Sequence, residues 1–435
     1  MFYAAAIKLA SLWNPKARLW VSGRKNWRLR CQQTIAPAAG KKRVWIHCAS
    51  LGEFEQGRPV LEEIRQCHPD AYIVLSFFSP SGYEIRKHYE QADAVIYLPS
   101  DTPRNASDYL DIIQPDLAVF IKYEYWLNYL EEMGRRKIPV LMVSAIFRPD
   151  QVFFRWYGQR WRKVLHNISM FFVQNEASGK LLKEAGIDHF TVSGDTRFDR
   201  VVAVRKTFSA IEPVAQFCGS SRVVVAGSTW SEDEEIWDYY ANTNPETKFI
   251  IAPHEVYERH LKSIEKLFKK STRYSELIKT WTSMDAHGTN KDDQGTGRSA
   301  HTTDKDARGP NGDTHVLIID NIGLLSRLYH YADICYVGGG FGGGIHNILE
   351  AAVHGKPVIF GPEHAKFREA VDLIEAGAAF TVSSAIELEE TVTMLIHDDA
   401  LRKQASERSL AYVLGKSGAT KNVLDFIQEK RLLTS

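Results

Sequence analysis

Two carboxylates follow directly after a short apolar segment near the N-terminus. The stretch WIHCASLGEFEQG, Trp45 to Gly57, runs into Ser-Leu-Gly and then places Glu53 and Glu55 where a helix is predicted to begin. Glycine permits a tight turn and close approach of a substrate. A carboxylate beside such a turn can accept a proton from a substrate hydroxyl, so Glu53 is a candidate general base. The alternative, which spacing alone favours, is that Glu53 only stabilises the first helical turn through the helix dipole.

A second stretch with potential chemistry lies near the C-terminus, from Tyr336 to Pro362. It reads YVGGGFGGGIHNILEAAVHGKPVIFGP, with six glycines within seven positions, and a helix is predicted to open with His346 and Asn347 and to reach Glu350. Backbone N–H groups exposed by glycine, together with a helix N-terminus, can hold a phosphate, and Glu350 can accept hydrogen bonds from ribose hydroxyls. The pattern is neither an ATP-hydrolysing P-loop nor a first-strand dinucleotide fingerprint. We interpret it as a nucleotide-sugar cradle; the alternative is a turn that serves only close packing.

The composition is that of a folded protein with room for two domains. The chain has 435 residues, of which 44% are hydrophobic and 25% charged. A formal net charge of +1 gives no overall attraction to nucleic acid, so no nucleic-acid partner is predicted. The five cysteines are scattered and contain no CxxC pair, which fits a reducing cytoplasm and argues against a thiolate metal site.

Short apolar, β-branched runs alternate with segments of helical spacing in two successive series. The first series is RVWIHCAS, AYIVLSFF, AVIYLP, LAVFI, VLMVSA and MFFVQ, and the second is RVVVAGST, KFIIAP, HVLIID, ICYVGG, KPVIFGP and AAFTV. This alternation predicts an α/β protein with two doubly wound parallel sheets and a boundary near residues 200–220. Ligands of such sheets bind at the carboxyl ends of the strands, so we expect the chemistry to lie between the two halves.

One segment departs from this pattern. Residues Met284 to Thr314 are almost free of aliphatic side chains and rich in Gly, Asp, Thr and Lys. Such a composition cannot bury enough surface to offset the entropy of ordering, so a disordered surface insertion is predicted. We expect His287, His301 and His315 to be solvated rather than to bind metal.

The N-terminus predicts an amphipathic helix. Phe2, Ala5, Ala6, Leu9 and Trp13 can share one helical face. Basic residues follow or flank this face: Lys8, Lys16, Arg18, Arg24 and Lys25. The apolar run is too short to span a bilayer and lacks a signal-peptide cleavage site. It fits either an interfacial helix on anionic lipid or a helix that docks on the protein's own core.

Taken together, the motifs resemble the bacterial Kdo transferases, which add 3-deoxy-D-manno-octulosonic acid (Kdo) to the lipid A precursor. The segments that carry the resemblance are SLGE, SFFSPSGYE, YLPSDTPRNA, FIKYEYWLN, SGDTRFDR, VAGSTWSEDEE, IIAPHEVYERH, IDNIGLLSRLYHYADICYVGG and HNILEAAVHGKPVIFGP. They extend over nearly the whole chain outside the insertion. In combination they are more specific than any one of them alone.

The resemblance implies a GT-B fold with two Rossmann-like domains that face a cleft. It implies a peripheral N-terminal helix over residues 1–25, an acceptor-binding domain over 26–205 and a donor-binding domain over 206–435, with the last helix packing back on the first domain. The implied function is inverting, metal-independent transfer of Kdo from CMP-Kdo to a lipid A precursor, lipid IVA, at the cytoplasmic face of the inner membrane in lipopolysaccharide biosynthesis. No cofactor is implied, and oligomeric state stays open.

The resemblance also implies roles for single residues. Glu53 matches the family's catalytic base, and Glu124 and Arg197 match positions that assist the reacting centre. Residues on the CMP-binding segments are Ser228, Pro253, His254, Ile322, Gly323, Leu324, Asn347, Ile348, Leu349 and Glu350.

The chain departs from the family pattern at several positions. Lys122 stands in place of a Glu, Leu127 of a Pro, Arg197 of a Lys, His254 of an Arg and Leu324 of a Glu. Two other functions therefore stay open at this point: a GT-B nucleotide-sugar 2-epimerase, and a non-catalytic scaffold that binds nucleotide or lipid.

Overall fold

The computed structural model describes residues 2–288 and 314–434, and the side chains of residues 6–283 and 314–434. The chain forms two compact units: unit 1 contains Met1–Arg200 and Lys416–Ser435, and unit 2 contains Val201–Gly415. Each unit has a seven-stranded sheet in which all neighbouring strands are parallel. The predicted α/β class with two doubly wound sheets is confirmed.

Unit 1 has the strand order β3-β2-β1-β4-β5-β6-β7. Its strands are β1 Arg43–Cys48, β2 Tyr72–Phe77, β3 Ala94–Tyr97, β4 Leu117–Ile121, β5 Val140–Ala145, β6 Met170–Val173 and β7 Phe190–Val192. Its first ten helices are α1 Phe2–Ala10, α2 Pro15–Gly23, α3 Trp27–Ile35, α4 Leu51–Cys67, α5 Pro80–Arg86, α6 Pro103–Ile113, α7 Leu127–Arg136, α8 Gln159–Leu165, α9 Glu176–Glu184 and α10 Thr196–Lys206, the last of which continues into unit 2.

Successive residues of β1 face two different apolar cores, because side chains of a strand alternate between the faces of its sheet. Val44 and Ile46 pack in a cluster with residues of α4. Trp45 packs in the other cluster, with residues of α3, α6 and α7. A strand buried on both faces reads as a continuous apolar run, which is why β1 is recognisable in the sequence. The strand that leads to Glu53 is therefore fixed from both sides.

Unit 2 has the strand order β10-β11-β9-β8-β12-β13-β14. Its strands are β8 Val223–Thr229, β9 Lys248–Pro253, β10 Ser271–Arg273, β11 Val316–Ile318, β12 Ile334–Val337, β13 Val358–Phe360 and β14 Ala379–Thr381. Its helices after α10 are α11 Glu212–Cys218, α12 Ser231–Thr243, α13 Glu258–Leu267, α14 Tyr274–Gly288, α15 Leu325–Leu328, α16 Leu349–Ala352, α17 Arg368–Glu375, α18 Ala385–His397 and α19 Asp399–Gly415.

Two edge strands and one histidine differ from the sequence prediction. Strands β7 and β10 are only partly buried and have the sequences FTV and STR, which do not stand out as apolar runs. The prediction that His315 is solvated is wrong: its side chain is buried, and its Nε2 lies 2.7 Å from the Ala241 carbonyl oxygen.

The predicted insertion begins inside α14, since that helix extends to Gly288. Its remaining residues 289–313, with His301, lie outside the described residues, as does the side chain of His287.

The N-terminal helices expose some apolar side chains and bury others. Leu9, Leu12 and Trp13 are 61%, 70% and 67% exposed. Trp20 in α2 is buried, with its ring 5.6 Å from that of Phe78. Leu9 and Trp13, on the face for which membrane binding or core docking was predicted, are thus exposed, and the buried Trp20 of α2 is not part of that face. Among the described residues, every helix falls short of the length and hydropathy needed to cross a bilayer.

The end of the chain completes unit 1. Helix α20, Ala419–Glu429, packs against α4, and Val423 and Ile427 join the core cluster beneath it. The Asp199 carboxylate accepts hydrogen bonds from the backbone N–H groups of Gly418, at 2.5 Å, and Thr420, at 2.7 Å. The units divide after Arg200, five residues before residue 205, at which the acceptor-binding domain was predicted to end. The helix that carries Glu53 thus rests on the last helix of the chain.

We expect Ile427→Ala to destabilise unit 1 by about 2–5 kcal/mol, because it removes buried methyl groups between α20 and α4. Chemical denaturation followed by tryptophan fluorescence measures this loss, since seven of the ten tryptophans lie in unit 1. The control is Glu429→Ala on the exposed side of the same helix, which should leave the transition unchanged. Equal transitions for both variants would show that α20 does not support α4.

Candidate active site

Glu53 lies in the first turn of α4, directly after the carboxyl end of β1. Its Oε2 accepts a hydrogen bond of 2.6 Å from the backbone N–H of Ala49, so the carboxylate folds back over the strand end. Ser50 is the N-cap residue in extended conformation, but its side chain makes no capping hydrogen bond. The Glu53 carboxylate therefore reaches back from the first helical turn to the residue before the N-cap, and its role as a general base stays a prediction.

The environment of Glu53 favours its protonated form. The pKa of this carboxyl is raised from 4.5 to about 8, first by burial and then by the nearby negative charge of Glu124. The backbone N–H groups of Ala49 and Ser50 and the ammonium of Lys122 act in the opposite direction. A carboxyl with a pKa close to neutrality can take up a proton during a reaction and release it afterwards, which is what a general base requires.

Glu124 is buried next to two donors. Its Oε2 lies 3.1 Å from Nε2 of His47 and accepts a hydrogen bond of 2.5 Å from the indole N–H of Trp126. Glu124 follows β4, which is the neighbour of β1 in the sheet, so parallel strand ends bring the two carboxylates to the same edge. The structure thus brings Glu53 and Glu124 together, as the sequence predicted for two residues of one site.

Arg197 is held by a buried acid. Its Nε donates to Oδ2 of Asp195 and its backbone N–H to Oδ1, both at 2.9 Å. The Gln56 side-chain amide donates to both Asp195 oxygens at 3.0 Å, and Thr196 Oγ1 donates to the Gln56 carbonyl at 2.5 Å. Gln56 is one turn beyond Glu53 on α4. The helix of the candidate base and the segment of Arg197 are therefore joined by a buried polar network.

The predicted donor residues of unit 2 lie at the carboxyl ends of four neighbouring strands, β11, β9, β8 and β12. Ser228 stands at the end of β8 with φ of 53°, in the left-handed region, where the β8–β9 register shifts. Pro253 ends β9 and is followed by His254. The segment Ile322–Leu324 follows β11, with Ile322 84% exposed and Gly323 at φ of 99°.

The glycine-rich loop serves packing in one part and is open in the other. A Cβ on Gly338 would collide with the Ser228 carbonyl oxygen, and one on Gly340 would lie 2.6 Å from the Gly361 backbone. Gly342 and Gly343 have open space where a Cβ would stand. Close packing therefore explains the first glycines of the loop, and the later ones leave space in which a ligand can approach the backbone, although the Gly342 N–H itself donates to the Gly339 carbonyl oxygen at 3.2 Å.

The helix predicted after this loop is shorter than expected. It begins at Leu349 rather than His346 and ends at Ala352, and the His346 N–H is bonded back to the Gly338 carbonyl. Asn347 and Glu350 lie together, with a hydrogen bond of 3.0 Å from the Asn347 amide to the Glu350 carboxylate. Ile348 and Leu349 are buried in the core, so their side chains cannot contact a sugar-nucleotide donor. The phosphate site at this helix N-terminus stays a prediction, to which a helix of one turn contributes little dipole.

Three aromatic rings stack beside the glycine loop. The rings of His254 and His346 lie 4.3 Å apart, and the Trp230 indole N–H donates to Nε2 of His346 at 3.0 Å. Burial lowers the pKa of His346, as does the neighbouring His254, while Asp233 raises it. Asp233 also accepts hydrogen bonds from the N–H groups of Trp230 and Gly339, which fixes the loop to the start of α12.

Several polar residues of the site did not stand out in the sequence. These are His47, Ser76, Gln56 and Asp195, all buried. His47 and Ser76 interrupt apolar strands, and Gln56 interrupts the apolar face of α4. A buried polar residue within an apolar pattern is the signal that could have identified them, because such groups require partners.

Comparison with known proteins finds similarity to sugar transferases. Residues 25–200 match the family described as 3-deoxy-D-manno-octulosonic-acid transferase (kdotransferase). The chain is 26% identical over 413 residues to the 3-deoxy-D-manno-octulosonic acid transferase of Bordetella pertussis, covering 91% of this chain and 89% of that protein. It is 24% identical over 396 residues to the same enzyme of Haemophilus influenzae, covering 88% and 86%. The predicted resemblance to the Kdo transferases, and the status of an enzyme that it implies, are confirmed.

Solved structures confirm the fold. The UDP-GlcNAc 2-epimerase of Neisseria meningitidis superposes with a TM-score of 0.60 and 17% identity, covering 89% of this chain and 100% of that chain. A putative UDP-N-acetylglucosamine 2-epimerase of Listeria monocytogenes gives a TM-score of 0.57 and 12% identity, covering 91% and 98%. At this identity the likeness concerns the GT-B-like fold and carries no activity over.

We expect Glu124→Gln to lower the pKa of Glu53 by about one unit or more, because it removes a neighbouring negative charge. Titration of protein labelled with ¹³C at the glutamate carboxyl groups, followed by NMR, measures this change. Glu131→Gln, at an exposed position of α7, is the matched control and should leave the titration unchanged. A Glu53 titration that is the same in both variants would contradict electrostatic coupling of the two carboxylates.

Proposed function

We propose that this relative of the Kdo transferases is an inverting glycosyltransferase that moves Kdo from CMP-Kdo to a lipid A precursor, lipid IVA. The observation that carries the proposal is Glu53, a carboxyl with a raised pKa at the strand end of unit 1, next to Glu124. The match to the Kdo transferase family over residues 25–200 and the similarity to named Kdo transferases over about nine-tenths of the chain support the substrate class.

In the proposed reaction Glu53 acts as the base. A hydroxyl oxygen of the acceptor attacks the anomeric carbon of Kdo, and its proton passes to the Glu53 carboxylate. The bond between the anomeric carbon and the phosphate oxygen breaks, and the electron pair leaves with CMP. A single displacement of this kind inverts the anomeric centre.

Unit 2 offers the donor-binding groups. The open glycines Gly342 and Gly343, His254 and the Asn347–Glu350 pair lie at the strand ends where nucleotides bind in such sheets. Because CMP leaves with a single phosphate, backbone N–H groups and cationic side chains can meet its charge without a divalent metal. We therefore propose that the reaction is metal-independent and needs no cofactor.

Unit 1 offers surface for a lipid-borne acceptor at the inner membrane. The first such surface is the exposed apolar cluster of Leu9, Leu12 and Trp13, flanked by Lys8 and Lys16. Apolar side chains beside a basic collar suit an anionic membrane surface, where each nearby cation contributes about 1 kcal/mol. The proposed location is the cytoplasmic face, because the cysteines indicate a reducing compartment.

The second surface follows β5. Trp156 and Tyr157 are 90% and 60% exposed, and exposed Arg155 and Arg160 flank them. The Arg162 guanidinium donates to the carbonyl oxygens of Phe153 and Arg155, both at 2.9 Å, so the loop is held in a defined conformation.

This loop lies near the candidate base within unit 1. Strands β1 and β5 are separated only by β4, so their ends are about 10 Å apart. The Tyr125 ring, next to Glu124, packs 4.7 Å from that of Phe153. Exposed aromatic and cationic side chains at this edge suit the interface between lipid and water where such an acceptor is found.

We expect Glu53→Gln to reduce transfer by roughly 10²–10⁴-fold, the contribution of one general base. Wild-type turnover should rise with pH through about 8, since only the ionised carboxylate accepts the proton. Mass spectrometry of the lipid product, with purified protein, CMP-Kdo and a lipid A precursor, measures both effects.

The matched control for this experiment is Glu63→Gln, at an exposed position of the same helix, which should transfer at the wild-type rate. Near-normal transfer by Glu53→Gln would exclude Glu53 as the base. Consumption of CMP-Kdo by the wild-type protein without a Kdo-bearing lipid would contradict the proposed acceptor.

We expect the triple substitution Leu9→Ser, Leu12→Ser and Trp13→Ser to reduce transfer to acceptor in phosphatidylglycerol vesicles several-fold while transfer to detergent-dispersed acceptor is kept. The physical reason is loss of the apolar surface that rests on lipid. Equal losses of transfer in both assays would show that these residues stabilise unit 1 and do not serve lipid binding. The control is Leu414→Ser, which changes an exposed leucine of unit 2.

A further inference from the structure

His47 lies inside unit 1 with both ring nitrogens engaged. Its side chain is completely buried in β1. Nδ1 lies 2.8 Å from Oγ of Ser76 and 3.1 Å from the Ser76 carbonyl oxygen. Nε2 lies 3.1 Å from Oε2 of Glu124 and 3.0 Å from Nε1 of Trp126. The histidine thus connects the next strand of the sheet to the carboxylate beside the candidate base.

The surrounding donors and acceptors select one tautomer of this ring. The Trp45 indole N–H donates to Ser76 Oγ at 2.8 Å, so the hydroxyl proton of Ser76 is directed to another acceptor. Nδ1 of His47 is that acceptor, which leaves the ring proton on Nε2, facing Glu124. The Trp126 N–H, a donor only, then shares the same carboxylate oxygen, at 2.5 Å. In this arrangement every polar hydrogen has an acceptor.

The other neutral tautomer fits less well. With the ring proton on Nδ1, the bond would go to the Ser76 carbonyl, and the bare Nε2 would face Glu124 Oε2 at 3.1 Å. Two acceptors at that distance repel each other unless Glu124 takes up a proton, although the Trp126 N–H, 3.0 Å from Nε2, can donate to both of them. The tautomer of His47 and the charge of Glu124 are therefore coupled: an Nε2 proton favours the ionised carboxylate, and an Nδ1 proton favours the neutral acid.

We propose that His47 is a positioning residue whose Nε2–H group, fixed by Ser76, keeps the Glu124 carboxylate ionised beside Glu53. The charged or titratable groups around the two acids are His47 itself, the Cys48 thiol, the Tyr125 hydroxyl and the Lys122 ammonium. Burial raises the pKa of the Tyr125 hydroxyl well above its ordinary value, so this group stays neutral. Burial raises the pKa of the Cys48 thiol, which therefore stays neutral. Lys122 opposes the effect of Glu124 on Glu53.

The consequence for catalysis rests on the proposed role of Glu53 as the base. An ionised Glu124 raises the pH at which Glu53 loses its proton. A carboxylate that holds its proton more tightly is a stronger base. A neutral Glu124 would make Glu53 ionise earlier and act as a weaker base. His47 and Glu124 lie between Ser76 and Glu53 in this chain of hydrogen bonds. Ser76 would thus influence the basicity of Glu53 through these two residues.

The direct test is the tautomer. In protein labelled with ¹⁵N-histidine, we expect the His47 signals to show a proton on Nε2 and none on Nδ1 between pH 7 and 8. In Ser76→Ala, which lacks the hydroxyl donor, we expect the proton to move to Nδ1. A wild-type His47 protonated on Nδ1, or on both nitrogens, would overturn the proposal.

The second measurement is the titration of Glu53 in the same variants. We expect its midpoint, followed by ¹³C NMR, to fall by about one pH unit or more in Ser76→Ala, because Glu124 then becomes neutral. Ser76→Thr keeps the hydroxyl and should restore the wild-type midpoint. An unchanged midpoint in Ser76→Ala, or an equal shift in Ser76→Thr, would overturn the proposal.

These readouts separate the inference from the proposed function. Both NMR measurements need neither CMP-Kdo nor lipid, so they stand even when no sugar is transferred. If transfer is observed, the rising limb of its pH profile should move to lower pH in Ser76→Ala and return in Ser76→Thr. Transfer with identical profiles in all three proteins would contradict the coupling while leaving the transferase function intact.

Discussion

The site of unit 1 depends on the repulsion between two carboxylates that the fold holds close together. Glu53 is half-buried at the end of one strand and Glu124 is buried at the end of the next. Water would screen such a pair, but burial removes most of that screening. One of the two must hold its proton longer, and the donors His47 and Trp126 assign the negative charge to Glu124. Glu53 is left as the group that exchanges a proton near neutral pH.

In both units the candidate site residues lie at the carboxyl ends of the strands, but their side chains suit different chemistry. In unit 1 the strand ends carry acids on a rigid polar network, which suits proton transfer. In unit 2 the strand ends carry open glycines, stacked imidazoles and an Asn347–Glu350 pair, which suit binding of a nucleotide. The fold itself is shared with epimerases, so the distinction between activities lies in these side chains and not in the sheets.

Most of the sheet architecture could be predicted, because strands buried on both faces read as continuous apolar runs. The edge strands β7 and β10 could not, since they are only partly buried and their sequences, FTV and STR, are not apolar runs. The motif around Glu53 indicated a candidate base, but its partners did not follow from spacing. His47 is remote in sequence from Glu124, and only the β1–β4 pairing brings them together. His346 was expected to start a helix, but the helix begins at Leu349 and the His346 N–H is bonded back to Gly338.

The return of α20 to unit 1 has a consequence for biosynthesis. The helix that supports α4 is encoded by the last 20 residues, so it leaves the ribosome only after the whole of unit 2 has been made. Until then α4 lacks its neighbour, and the apolar face that Val423 and Ile427 later cover is open to water. Nascent chains therefore expose this apolar surface for the time needed to translate more than 200 residues. We expect chaperones to bind unit 1 during that time.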